Sequence, residues 1–142
     1  MNIGTVEKPP RVVLDTNILV SALIYGGKPQ QIYNLVFDKR IFAVTSSILL
    51  AELTETLIKK FNFDSIRVKQ VEKITRKNFQ VVHPKKTIQL LIDEDDDRVL
   101  EAADEGNCNY IITGDKELLE LNTYKNTKIM SADEFLVSVF KG

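Results

Sequence analysis

The sequence predicts an α/β protein with three layers, helices on both sides of a central parallel sheet, and three observations carry that expectation. First, short and mostly apolar runs recur between stretches of helical periodicity: Val12-Val13-Leu14, Ile41 to Val44, Phe79 to Val82, Tyr110-Ile111-Ile112 and Lys128 to Met130. Strands apolar on both faces belong to sheets covered by helices on both sides. Second, two of these runs are closed by an aspartate, Asp15 directly and Asp115 after Thr113-Gly114. Right-handed crossovers gather the carboxyl ends of such strands on one edge, where open α/β sheets bind ligands. Third, 142 residues, 44% hydrophobic and 27% charged, suffice for one domain with a real core.

The elements follow in order. Residues 1–10, ending in Pro9-Pro10, read as an N-terminal extension, and a single domain is expected over residues 11–142. Strand Val12 to Leu14 is followed by a helix over Ile18 to Tyr25, stopped at Gly26-Gly27, and by a second over Pro29 to Lys39. After the strand Ile41 to Val44, either Ser46 or Ser47 caps a helix with Leu49, Leu50, Leu53 and Leu57 at helical spacing. Asp64 to Asn78 is a basic helix carrying Ile66, Val71 and Ile74, and it leads into strand Phe79 to Val82. A helix over Asp95 to Glu105 ends at Gly106-Asn107. Strand Tyr110 to Ile112, a short helix over Lys116 to Leu121, a strand at Lys128 to Met130 and a helix over Ser131 to Phe140 complete the chain.

One cysteine, Cys108, excludes an internal disulfide framework and any multi-cysteine metal site, and fits a reducing compartment. No apolar run approaches the roughly 20 residues that cross a bilayer. Met1 to Pro10 lacks the apolar stretch of a signal peptide. A cytoplasmic protein with no membrane role is expected. The formal net charge of -1 argues against nucleic-acid binding by bulk positive charge. It conceals an asymmetry, however. Lys59 to Lys86 holds nine basic and two acidic residues, whereas Asp93 to Glu120 holds eleven acidic and two basic ones. Either could be a solvated face; alternatively the basic segment meets a phosphate backbone and the acidic one holds cations.

Four carboxylates are expected to converge. Asp15 and Asp115 share the strand-end edge, although each alone would serve as a turn former or helix cap. Glu52 lies on the border of its helix's apolar stripe, within two turns of the same edge. The run Asp93-Glu94-Asp95-Asp96-Asp97 exceeds what a helix dipole favours. Asp96 precedes Val99, Leu100 and Ala103 by three, four and seven positions and so shares their inward face. Asp97 is turned about 100° away. Asp96 is therefore the favoured inward acid, with Asp93 and Asp97 as outer members. Acids drawn together raise one another's pKa or require a cation. An all-oxygen donor set suits Mg²⁺ or Mn²⁺ rather than Zn²⁺, and phosphodiester cleavage is the usual chemistry of such a site. Asn17 and Thr113 are placed to orient a water or a ligand carboxylate. His83, before Pro84 and far from these motifs, reads as structural or exposed.

These residues resemble the PIN-domain nucleases. Leu14-Asp15-Thr16-Asn17-Ile18-Leu19-Val20-Ser21-Ala22 is similar to that family's opening motif, and Glu52 matches its helix glutamate. Asp93 to Ala103 matches Asp-x-Asp-Asp-x-x-x-Leu-x-x-Ala, with Asp96 in the key place, and Thr113-Gly114-Asp115 matches Thr-x-Asp after a strand. Four motifs stand in register from about Val12 to Phe140. Related sequences often carry Asn where this chain has Asp97, which leaves the choice between Asp96 and Asp97 open. The resemblance implies a Mg²⁺- or Mn²⁺-dependent nuclease specific for single-stranded RNA, with Asp15, Glu52, Asp96 and Asp115 as catalytic and metal-holding acids. It further implies the toxin of a toxin–antitoxin pair (VapC-like), a homodimer restrained by a small antitoxin protein.

Other classes fit less well. A phospho-signalling receiver needs an acidic pair after the first strand and a phosphoacceptor Asp after a middle one; neither middle strand ends in Asp. A haloacid-dehalogenase-type phosphatase needs Asp-x-Asp where this chain has Asp15-Thr16-Asn17. The serious alternative is a catalytically inactive PIN-like module that binds RNA or protein.

Overall fold

The computed structural model of the chain describes residues 8–139. Among them, strands β1 (Arg11–Leu14), β2 (Phe42–Ser46), β3 (Gln80–Val82), β4 (Tyr110–Ile112), β5 (Thr123–Tyr124) and β6 (Thr127–Met130) form one sheet, in the order β3-β2-β1-β4-β6-β5. Every pairing is parallel except β5 with β6. That hairpin is absent from the sequence reading: β5 has two residues, too few to show a periodicity, and its turn relies on Lys125 in the left-handed region at φ 53°. The expected α/β/α layering holds.

Period-two alternation sorts the strand residues between two cores. On one face Val12 and Leu14 pack with α1 (Thr16–Ile24), α2 (Gly27–Phe37), Leu50, Leu53 and Leu57 of α3 (Ser47–Phe61), and the buried Phe135. On the other, Val13, Val44 and Ile111 meet Val99, Leu100, Ala102 and Ala103 of α5 (Glu94–Glu105) and Leu118 of α6 (Lys116–Leu121). The basic helix α4 (Ser65–Asn78) is peripheral. Only Thr75 of it is fully buried, Val71 packs against the first core, and Ile66 and Ile74 are exposed.

Local chemistry sets the boundaries. Ser46, not Ser47, caps α3: its Oγ accepts the Leu49 N–H at 3.2 Å. At the end of α5 it is Asn107, φ 49°, that adopts the left-handed conformation, while Gly106 has an ordinary φ. Gly106 is needed for a different reason. A Cβ there would lie 2.8 Å from Val44 Cγ1, so the glycine lets α5 approach the sheet. The expected C-terminal helix begins with a cap by Ser131, runs over Ala132–Glu134 as α7 and widens into π-type turns over Phe135–Val139. Phe140 and the first seven residues of the expected N-terminal extension lie outside the described residues.

Topology then locates a crevice. From β1 the chain moves to β2 and β3 on one side, returns across to β4, and continues outward. The strand order therefore reverses between β1 and β4, and the gap beyond their carboxyl ends is where such sheets take ligands.

Candidate active site

Asp15 and Thr113 stand on the two sides of that switch point. Asp15 follows β1, and its N–H extends the β1–β4 ladder to Ile112 O at 3.0 Å. Its backbone carbonyl caps α1, accepting from Ile18 and Leu19, but its side chain makes no cap bond. The carboxylate is thereby released to face Thr113, whose hydroxyl donates to Asp15 Oδ2 at 2.7 Å. That hydroxyl in turn accepts the Asp115 N–H at 2.9 Å, and Asp115 Oδ1 accepts from Leu118 N at 3.1 Å, capping α6. Thr113, fully buried, fixes two acids at once. Burial raises the pKa of Asp15, and repulsion from Asp115 adds to it, while the Thr113 hydroxyl and the backbone N–H groups of Thr16 and Asn17 act the other way.

Asp96 comes to the same point from the first turn of α5. It is buried, and its Oδ2 has no hydrogen-bond partner among the described residues. Such an atom is costly unless something absent from the polypeptide meets it. Burial pushes the Asp96 carboxyl up to about 8, helped by a hydrogen bond and repulsion from Asp115 and by the charges of Asp93 and Asp15. Glu52 is half-buried on α3. Its pKa is raised by burial first, then by the charges of Asp95, Asp15 and Asp93, and is lowered by a hydrogen bond with the Thr16 side chain. Mutual repulsion thus ties Asp15, Glu52, Asp96 and Asp115 into one electrostatic unit.

The four supporting positions divide. Thr113 is the linchpin just described. Asp93 caps α5, accepting from Asp95 N at 2.9 Å, and its charge reaches Asp96 and Glu52. The Asn17 side chain is exposed, and its contribution to Asp15 is a backbone N–H. Asp97, expected as an outer acid, is instead buried and serves a different purpose: its Oδ1 accepts from Leu90 N at 3.2 Å and Leu91 N at 2.9 Å.

Asp97 belongs to a series that sequence reasoning missed. One turn on, Glu101 accepts from Ile88 N at 2.8 Å, and a turn further Glu105 accepts from Lys85 N at 3.1 Å. Glu117 of α6 accepts from Ile92 N and Asp93 N. These carboxylates at i, i+4 and i+8, with Glu117, replace the missing sheet partners of the strap 84–93. Arg98 completes the clamp, donating to Ile88 O at 3.0 Å and pairing with Glu101 at 2.8 Å. Much of the acid density is therefore structural. The i, i+4, i+8 spacing was visible in the sequence; its partners, backbone amides of an irregular loop, were not. Thr16 was missed for a similar reason, being a neutral residue inside a motif. Substituting Asp97→Ala is expected to strand two amides and lower stability by about 2 kcal/mol in denaturant melts. The thermal response to Mg²⁺ should persist; its loss would return Asp97 to the acid centre.

The basic segment also divides. Lys59 and Lys60 line a groove of about 510 Å³ that runs past Glu52 and Asp95, and Lys86 lines a neighbouring pocket. The basic residues of α4 line neither.

The chain belongs to the PIN domain family, whose sequence profile matches residues 11–117. An uncharacterized protein of Methanocaldococcus jannaschii, MJ1680, is 31% identical over 116 residues, 78% of this chain and 74% of its own length. Among solved structures, VapBC-1 of nontypeable Haemophilus influenzae matches 87% of this chain and 98% of its own, with a TM-score of 0.61 at 17% identity. VapBC2 of Rickettsia felis, solved bound to a DNA fragment from their promoter, matches 85% and 98% with a TM-score of 0.56 at 17% identity. PAE2754 of Pyrobaculum aerophilum matches 96% and 93% with a TM-score of 0.58 at 14% identity. Among the described residues no helix is long and apolar enough to cross a membrane.

Proposed function

We propose that this protein is a divalent-metal-dependent endoribonuclease that cuts single-stranded RNA, acting as the toxin of a toxin–antitoxin pair. The observation that carries the nuclease reading is the gathering of Asp15, Asp96, Asp115 and Glu52 at the switch-point crevice, with one Asp96 oxygen buried and unpartnered. The donors are all carboxylate oxygens, which fits Mg²⁺ or Mn²⁺. Once bound, such an ion offsets phosphate charge and makes water a better nucleophile.

The chain's own residues supply the frame. Thr113 holds Asp15 and the Asp115 backbone in fixed relation, so neither needs to reorganise when a phosphodiester arrives. Asp96 and Glu52 close the crevice from α5 and α3. The toxin assignment draws on the resemblance of the motifs and on two VapBC proteins among the structural neighbours. An antitoxin partner, a homodimer and a cytoplasmic location go with it.

The binding-only alternative draws on one observation. Among the described residues no three His, Cys, Asp or Glu side chains are grouped so that they could hold a metal ion. Cleavage decides between the two. With Mn²⁺ and labelled single-stranded RNA, wild-type protein is expected to cut, and Asp15→Asn to lose about a thousandfold in rate. Equal cutting by the variant would expose a contaminant. No cutting with any divalent ion would leave the binding module.

A further inference from the structure

We infer that the pocket beside the acidic crevice, between the β2–α3 turn and the strap 84–93, holds one nucleotide of the RNA strand next to the scissile phosphate. Lys86 would meet its phosphate, and Ile48 and Pro84 its base. The inference rests on the nuclease reading above and adds a subsite to it.

Size and position come first. The pocket encloses about 300 Å³, at the small end of ligand sites and suited to one nucleotide rather than two. Ile48 and Arg98 line both this pocket and the groove that carries Glu52 and Asp95. A strand lying along that groove, past Glu52, therefore enters it directly.

Charge comes second. Arg98 and Glu101, paired at 2.8 Å, offset each other. Lys86 is exposed and forms no ion pair among the described residues. The pocket is left with one uncompensated positive charge, which matches one backbone phosphate.

Surface chemistry is third. Ile48 is 55% exposed on the second residue of α3, where it supports no core, and Pro84 gives a second apolar wall. Bases of single-stranded RNA are recognised when splayed out and stacked on aromatic rings or guanidinium planes, with polar groups reading their edges, and His83 and Arg98 line this pocket beside the two apolar walls. Ser47 and His83 stand on the same walls. His83, which earlier had no role, becomes part of a site. The strap that follows it, carrying Pro84 and Lys86, is pinned by Glu105, Glu101 and Asp97, so the pocket is preformed.

His83 is the chain's one histidine, so its imidazole proton resonance reports on this pocket alone. A four-nucleotide RNA would be titrated into the whole protein, with Ca²⁺ as the divalent ion, while fluorescence anisotropy follows binding. The resonance is expected to shift saturably. In Lys86→Gln the midpoint should rise about tenfold and the slope of log affinity against log salt should shrink by about one. Lys69→Gln, on exposed α4, should change neither. RNA that binds without moving the resonance would overturn the subsite and spare the nuclease reading, as would equal losses in the two lysine variants. So would a shift produced by an acidic peptide and not by RNA, which gives the pocket to a protein partner. A wild-type chain that neither binds nor cuts RNA would remove both.

Discussion

Asp96→Asn is expected to abolish RNA cleavage and, in the same protein, to stabilise the metal-free fold. The two effects have one cause. Asp96 sits buried with an unpartnered oxygen, and its carboxyl is pushed up to about 8 by burial and by Asp115, Asp93 and Asp15. Ionised Asp96 is thus a burden to the empty site. Asparagine keeps the shape, removes the charge and offers an amide donor to Asp115. At pH 8 without metal, a rise in melting temperature of about 5 °C is expected. At pH 5, where folded Asp96 is neutral, the difference should shrink, and it should vanish only below about pH 4, where the unfolded carboxyl is protonated too. Cleavage should fall by about a thousandfold, the scale on which a single electrostatic stabiliser acts. An acid kept only to cap or to solvate α5 would give the opposite pattern: destabilisation on neutralisation and little change in rate. A lower melting temperature at pH 8 would therefore sink the assignment of Asp96.

The same residue shows what could be read beforehand. The choice of Asp96 over Asp97 came from its spacing to Val99, Leu100 and Ala103, but the helix buries both acids, and they differ in that Asp97 accepts two strap amides while one Asp96 oxygen has no partner among the described residues. The strand-end acids Asp15 and Asp115 were legible because parallel topology determines where strand ends lie. The hairpin β5–β6 was not, since a two-residue strand exists only by virtue of its partner. The strap was not legible either. Its order comes from Asp97, Glu101, Glu105 and Glu117 accepting backbone amides, and a carboxylate carries no mark in the sequence of the donor it will meet. Charge counting could not separate acids that bind amides from acids that repel each other. For the same reason it treated the basic segment as one unit, whereas only Lys59, Lys60 and Lys86 of its basic residues line the groove or its neighbouring pocket.

That separation has a measurable consequence in the pH dependence of the metal-free protein. Asp15, Glu52 and Asp96 all have folded-state pKa values above their ordinary ones, Asp96 reaching about 8 from 3.8. For an acid this means the folded state binds more protons than the unfolded state between the two values. Stability must then fall as pH rises through that window, from about 4 to about 8, and level off above it. A drop in melting temperature of about 5–10 °C between pH 5 and pH 8 is expected without metal. Divalent ions held by the proposed site are expected to reverse it, because they would compete with protons for the same oxygens and bind only the folded state. At ten times its Kd an ion contributes about 1.4 kcal/mol. Addition of Mg²⁺ or Mn²⁺ should thus raise the melting temperature by several degrees at pH 8 and hardly at all at pH 5, and Asp96→Asn should lose the pH 8 response. A metal effect of equal size at both pH values would indicate diffuse ion binding at the surface, and a flat profile without metal would mean that the four acids do not share one site.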